Sequence, residues 1–215
     1  MSSNRVIAYF DGFNYYEGLR KKGWKEYYWQ DLVKFVESFL RPYQELVEVR
    51  YFSAIQKNRE KAQRQDKFFQ ANKLNPKFQL ILGEFKQRTK WRNVECNGKK
   101  VGREIKFWEE KKTDVALASY IIRDVVLRKC ETIFLFSADS DITPALEVVQ
   151  ELINGIRRIN IIIFFPPGNF SSDLKKKANK TYILENHEQK FKNSILPDEL
   201  KLSDGFILKK PEKWI

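Results

Sequence analysis

Short apolar runs, each followed by a helical pattern, recur along this sequence of 215 residues. Val6–Phe10, Thr132–Phe136 and Ile159–Phe165 are short and almost wholly apolar, which is typical of strands buried on both faces of a parallel sheet. Leu46–Phe52 and Phe78–Phe85 are predicted to be further strands. The alternation predicts an α/β fold, with a central and mainly parallel sheet covered by helices on both faces.

The predicted helices lie between these strands. Asn58–Leu74 and Ala145–Asn154 have the length of helices, and Thr113 is predicted to cap a third one. Thr143 and Pro144 are predicted to serve as the N-cap and first residue of the helix that follows them.

The stretch Lys86–Lys106 is polar and contains Asn97-Gly98, a pair that favours a tight turn between two strands. It predicts a protruding basic β-hairpin, inserted at about 86–107 into a domain that covers residues 1–185. Residues 186–215 are predicted to form a C-terminal tail that packs on this domain.

Positive charge is concentrated in one part of the chain. Residues 50–112 contain 18 Lys and Arg against 7 Asp and Glu, whereas the segments on either side are nearly balanced. Bases neutralise phosphates, and aromatic rings such as those interleaved here can stack on unpaired nucleobases. The region predicts a nucleic-acid surface, and a merely solvated basic face is the alternative. The predicted contacts are Lys86, Arg88, Lys90, Arg92, Lys99, Lys100, Arg103, Lys111 and Lys112.

Aspartates follow the predicted strands. Asp11 ends the first strand, Asp139 and Asp141 follow the strand at 132–136, and Asp114 lies in the first turn of the preceding helix. Ligands bind at the carboxyl ends of parallel strands, so these four carboxylates are predicted to meet there. Crowded carboxylates take up protons or share a cation, and Mg²⁺ or Mn²⁺ suits such oxygen ligands. The alternative is that each acid has a local role: Asp11 as a turn residue, Asp114 as a favourable charge at a helix start, and Asp141 as a helix cap.

Three further polar residues have candidate or alternative roles. Asn14, one turn beyond Asp11, is predicted to hold a phosphate oxygen or a metal-bound water, and helix capping is its alternative role. Ser137 is a secondary candidate that could hydrogen-bond a carboxylate or reach the metal. His187 has no evident catalytic partner, so a packing role is predicted for it.

Neither a membrane span nor a secretory segment is predicted from the sequence. No apolar run reaches the roughly 18 residues that a span requires, and the start of the sequence lacks a secretory apolar region. Cys96 and Cys130 have no metal-ligand spacing and are too few for a disulfide framework. We therefore expect a cytoplasmic protein with no membrane partner.

Three motifs resemble those of NYN domains, which have PIN-like ribonuclease folds: Phe10–Asn14, Lys112–Ala118 and Ser137–Pro144. Their order and spacing are similar to those of the LabA-like branch, over approximately residues 4–185. The resemblance implies a Rossmann-like three-layer α/β/α fold and endonucleolytic cleavage of RNA with Mg²⁺ or Mn²⁺. It also implies that the four aspartates form the acidic centre, with Asn14 on the substrate side.

The functional prediction is a metal-dependent endoribonuclease, and two alternatives stay open. One is a non-catalytic RNA-binding regulatory module that uses the basic hairpin. The other is a phosphatase of the haloacid dehalogenase type, suggested by Asp139 and Asp141 with Thr143 after an apolar strand. The predicted partner is RNA, single-stranded or structured, while DNA and a homodimer are left open.

Overall fold

A computed structural model describes residues 4–96, 99–202 and 204–214, with side chains described outside 93–101. The strands are β1 (Asn4–Asp11), β2 (Gln44–Ser53), β3 (Phe78–Leu82), β4 (Glu84–Cys96), β5 (Lys99–Lys111), β6 (Thr132–Phe136), β7 (Asn160–Phe165), β8 (Lys180–Ile183), β9 (Glu199–Lys201) and β10 (Ile207–Lys209). The α-helices are α1 (Gly12–Lys22), α2 (Leu32–Glu37), α3 (Arg59–Lys73), α4 (Thr113–Val126), α5 (Thr143–Ile153), α6 (Ser172–Lys177) and α7 (Glu188–Lys192).

Six strands form one parallel sheet in the order β3-β2-β1-β6-β7-β8. Successive side chains of a strand point to opposite faces, and in β1 both sets are apolar. Val6 and Phe10 join the core beneath α1, α2 and α3, whereas Ile7 and Tyr9 join the core beneath α4, α5 and α6. The predicted three-layer α/β/α fold is confirmed.

Two predicted helix caps are wrong. Thr113 is the first residue of α4 rather than its cap, and Lys112 precedes it in the left-handed region at φ 75°. The Thr113 hydroxyl donates to Glu110 Oε1 at 2.6 Å, because a nearby carboxylate accepts strongly and the helical backbone turns the side chain away from the free N–H groups. Thr143 likewise begins α5 itself, and Ile142 occupies the cap position.

The basic segment forms a long antiparallel hairpin. β4 and β5 pair from Glu84 with Lys111 at the base to Cys96 with Lys99 at the far end. Both strands therefore extend beyond the predicted hairpin bounds of 86–107. The Asn97-Gly98 turn lies outside the described residues.

The C-terminal segment contacts the sheet domain at several points. Trp29 Nε1 donates to the Pro197 carbonyl at 2.8 Å, and the Trp214 ring meets the Tyr28 ring edge-on at 5.7 Å. The division of the chain at residue 185 stays a prediction. In the described part of the chain, no helix combines the length and apolar character needed to cross a bilayer.

A buried charge cluster joins α4 to the sheet. Arg50 of β2 is 1% exposed and forms ion pairs with Asp124 of α4 and with Glu48. The Tyr9 hydroxyl of β1 donates to Asp124 Oδ2 at 2.8 Å. Because a buried charge is costly without partners, this cluster fixes α4, which carries Asp114, against β1 and β2.

Candidate active site

Three of the four predicted aspartates meet at the carboxyl edge of the sheet. Asp11, Asp114 and Asp139 each offer a carboxylate oxygen, and these oxygens lie within 4.8 Å of one another. Two of them converge because β1 and β6 are parallel neighbours that end together, with Phe10 opposite Phe136. We call these three residues the acidic triad.

Asp141 lies beside the acidic triad, not within it. Its backbone N–H donates to Asp139 Oδ1 at 3.0 Å in a short 3₁₀ turn. Its negative charge nevertheless contributes to raising the pKa of Asp114. It therefore acts on the triad through its charge.

Asn14 and Ser137 hold the strand ends together. Asp11 Oδ1 accepts the Asn14 backbone N–H at 3.0 Å, and Asp11 Oδ2 accepts the Ser137 hydroxyl at 2.9 Å. Ser137 Oγ in turn accepts the Asp139 N–H, and Asn14 Oδ1 accepts the Ala138 N–H, both at 3.0 Å. Both side chains thus link the start of α1 to the loop after β6, which orients two carboxylates of the triad.

The acidic triad places like charges close together around the buried Asp11. Burial, followed by the charges of Asp114 and Asp139, raises the pKa of Asp11 to about 7, against the hydrogen bonds from Asn14 and Ser137. Burial, followed by the charges of Asp139 and Asp141, also raises the pKa of Asp114. Each ionised carboxylate makes the next one harder to ionise.

These residues fit a divalent cation. The donors are carboxylate oxygens, which Mg²⁺ and Mn²⁺ prefer, and a cation among them would offset the repulsion that raises the pKa of Asp11. Two predicted basic residues at the base of the hairpin pair with acids there, and the charge of Lys111 partly offsets the rise in the pKa of Asp114. Lys111 Nζ pairs with Glu109 at 2.9 Å, and Lys112 Nζ pairs with Glu84 at 2.8 Å.

Residues 5–185 match the NYN domain family. The chain belongs to this family. NYN domains are PIN-like nucleases that act on RNA with divalent metals. The family predicted from the motifs is confirmed, and the LabA-like branch stays a prediction.

Among solved structures, the NYN chain is similar to a protein of unknown function from Vibrio parahaemolyticus. The two are 17% identical, with a TM-score of 0.54 over 84% of this chain and 93% of the other. This similarity supports the fold alone. The search of curated proteins gave no match.

Sequence analysis missed Glu110 of this NYN domain. Its carboxylate accepts the Thr113 hydroxyl, and burial together with the charge of Asp114 raises the pKa of Glu110. The sequence signal that could have identified Glu110 is its position just before the Lys112–Ala118 motif. In a hairpin so rich in charged residues, however, this position does not distinguish Glu110 from a surface residue.

The hairpin of the NYN domain has one strongly basic face. Residues that alternate along a strand share a face, and the bases that do so on β4 are Lys86, Arg88, Lys90 and Arg92. Arg103 of β5 stands directly opposite Arg92. Such like charges repel unless an anion lies between them, which favours a polyanion on this face. The side chains of Lys99 and Lys100 lie outside the described residues.

His187 packs as predicted for a structural residue. Its ring contacts Phe39 at 5.7 Å and Tyr182 at 5.4 Å between centroids. Burial lowers the pKa of His187, with help from Lys190 and Lys180. These contacts pack the partly exposed ring against Phe39 and against Tyr182 of the edge strand β8.

Proposed function

We propose that this chain is a metal-dependent endoribonuclease of the LabA-like branch of the NYN family. The observation that carries the proposal is the acidic triad, because carboxylates from residues 11, 114 and 139 share one small volume. Such an arrangement is electrostatically unfavourable unless protons or a cation bind there, a divalent cation suits these oxygen donors, and the family acts on RNA.

The proposed roles follow from the contacts. Asp11, Asp114 and Asp139 would hold Mg²⁺ or Mn²⁺, with Asp141 as a fourth acid at the edge of the site. A divalent cation there supplies charge stabilisation at a phosphodiester and lowers the pKa of a water molecule. Asn14 and Ser137 position Asp11, and Asn14 lies at the start of α1, on the proposed substrate side.

The basic hairpin is proposed to bind the RNA backbone. Lys86, Arg88, Lys90, Arg92 and Arg103 share a face, and Trp91 on the opposite face is 72% exposed. Lys111 and Lys112 at its base are proposed to guide phosphates towards Asp114. A DNA substrate, a homodimer and the cytoplasmic location stay predictions.

The decisive experiment compares cleavage of labelled single-stranded RNA in Mn²⁺, Mg²⁺ or EDTA. We expect cleavage with a metal, none in EDTA, and a loss of about 100-fold or more in Asp139→Asn, since that residue helps to hold the charge-stabilising cation. Asp198→Asn is the control, because Asp198 is 81% exposed in the tail.

Two other results would contradict the nuclease. RNA binding without cleavage in any metal would support the RNA-binding module instead. Hydrolysis of a phosphomonoester that depends on Asp139, without RNA cleavage, would support the phosphatase.

The hairpin is tested by replacing Lys90, Arg92 and Arg103 with Glu. We expect weaker RNA binding and a salt dependence whose slope falls by about two, since each phosphate contact contributes about 0.7 on single strands. Three exposed bases outside the hairpin, Lys129, Arg158 and Lys201, serve as the control set. An unchanged slope would exclude this face as the RNA surface.

A further inference from the structure

A cavity of about 550 Å³ opens next to the acidic triad. Gly12, the residue after Asp11, lines it, and so does Glu110, whose pKa is raised in part by the charge of Asp114. Tyr51, on the same wall, donates its hydroxyl to the Gly12 carbonyl. The cavity therefore borders the edge of the sheet where the proposed chemistry occurs, and its size is that of a small-ligand site.

Aromatic rings form one wall of the cavity. Tyr16 and Tyr28 pack with their ring centroids 4.9 Å apart, and Trp214 from the C-terminal segment meets Tyr28. Phe13 also lines the cavity and is 50% exposed, while Tyr16 is 36% exposed. Rings that line a cavity and still reach solvent are suited to stacking against a planar ligand.

Cations also line the cavity. Lys61 and Arg64 lie one turn apart on α3. Arg64 pairs only loosely with Glu60, at 3.6 Å, and Glu60 also pairs with Lys213 at 2.8 Å. The lining thus combines aromatic rings with positive charge, the two features that suit a nucleobase and its phosphate.

Polar groups also line the cavity. Gln65 donates to Ser53 Oγ at 3.2 Å and to the Ala54 carbonyl at 3.1 Å, and all three residues line it. Gln65 Oε1 also accepts the Gln56 N–H at 3.0 Å, so this amide is held in place by the cavity lining. The Ser53 hydroxyl accepts from Gln65 and can itself donate its O–H to the edge of a nucleobase.

We propose that this cavity binds the base of an unpaired nucleotide of the substrate, with its phosphates at Lys61 and Arg64. The inference rests on the proposed function in taking RNA as the substrate. A base in a duplex is stacked and paired, so it enters such a cavity only after unstacking. The substrate class is therefore RNA that is single-stranded next to the cleavage position.

Binding in EDTA tests the cavity without cleavage. The probes are a fluorescein-labelled octamer of oligouridylate and a blunt RNA duplex, with the full chain. We expect Tyr16→Ala to weaken binding of the octamer roughly 5- to 150-fold, the range for loss of one stacked base, and to leave duplex binding unchanged. Tyr16→Phe, which keeps the ring, should retain the affinity.

Tyr43→Ala is the matched control. Tyr43 is 55% exposed, and its carbonyl accepts the N–H of Asn4 at the start of β1, so it lies at the opposite edge of the sheet. We expect this variant to bind the octamer as the wild type does.

Tryptophan fluorescence gives a second measurement. UMP at millimolar concentration should quench the wild-type emission, and Trp214→Phe should remove most of the quenching. Trp91→Phe, a change in the hairpin, should leave it in place. No quenching by UMP, or quenching that survives Trp214→Phe, would overturn the proposal.

The outcomes distinguish a failure of the cavity proposal from a failure of the nuclease proposal. If Tyr16→Ala binds the octamer as well as the wild type, or loses octamer and duplex binding equally, the cavity proposal is wrong, even if the chain cleaves RNA. If no metal supports cleavage but Tyr16→Ala still loses octamer binding alone, the cavity proposal holds and the nuclease proposal fails.

Discussion

Replacing Asp11 with Asn should stabilise the metal-free protein at pH 8. Asp11 is 5% exposed, and burial together with its acidic neighbours raises its pKa to about 7. Asn has the same shape without the charge and keeps one oxygen to accept the Asn14 N–H. It loses the acceptor of the Ser137 hydroxyl.

The magnitude follows from the pKa. The unfolded chain releases the Asp11 proton near 3.8, whereas the folded chain holds it up to about pH 7. The folded state therefore binds more protons in this interval, so the wild-type free energy of unfolding falls as the pH rises through it. A shift of about 3 units corresponds to about 4 kcal/mol, and loss of one hydrogen bond offsets about 1 kcal/mol. The net gain for Asp11→Asn is about 3 kcal/mol at pH 8.

The assay is urea unfolding in EDTA at pH 5 and at pH 8. We expect the advantage of Asp11→Asn over the wild type to be largest at pH 8 and to shrink or reverse at pH 5, where the folded wild type keeps its proton. Asp198→Asn, an exposed change, should follow the wild type at both pH values. A variant that is less stable than the wild type at pH 8, or a difference that does not change with pH, would refute the reasoning.

Three more predictions concern the same edge and its support. Mn²⁺ should raise the melting temperature of the wild type more at pH 8 than at pH 5, because protons compete with the cation for the carboxylates. Asp139→Asn should lose this shift in melting temperature. A shift that is the same at both pH values would contradict the prediction. Asp124→Ala should lower the free energy of unfolding in urea by about 3–5 kcal/mol, because it removes one of the two acids that pair with the buried Arg50 and the acceptor of the Tyr9 hydroxyl. A cost below about 1 kcal/mol would argue against the cluster. Gly83→Ala should lower the free energy of unfolding by about 1–3 kcal/mol in the same assay and slow RNA cleavage, since a Cβ there would lie 2.6 Å from the Lys111 carbonyl. Unchanged stability and activity would show that the base of the hairpin adapts to the larger residue.

The members of the acidic triad could be predicted from the sequence. Asp11 and Asp139 each follow an apolar run, and parallel neighbouring strands end at one edge, so their proximity follows from topology. Asp114 could be predicted because the helix before β6 opens at the same edge. Asp141 follows the same strand, yet the turn that its N–H makes with Asp139 places its carboxylate outside the group.

Other features depend on contacts that no local pattern records. Thr113 has the residue type of a cap, but a carboxylate three residues earlier takes its hydroxyl. The ion pair between Arg50 and Asp124 joins residues on different elements. From the sequence alone, each of them would be predicted to be a surface charge. Capping preferences and periodicity describe a residue and its near neighbours, so partners brought close by packing are missed.

The alternation of apolar runs and helical segments determined the layered parallel sheet, because each run can bury both of its faces only between two layers of helices. The same boundaries determined that aspartates stand at the strand ends. Only the tertiary structure decided which carboxylates share a volume and how α4 is fixed. It also brought Trp214 against Tyr28, almost the whole chain apart, to form a cavity beside the triad. Burial and distance between remote residues arise when the elements pack, and they set both the charge state of Asp11 and the shape of the space next to it.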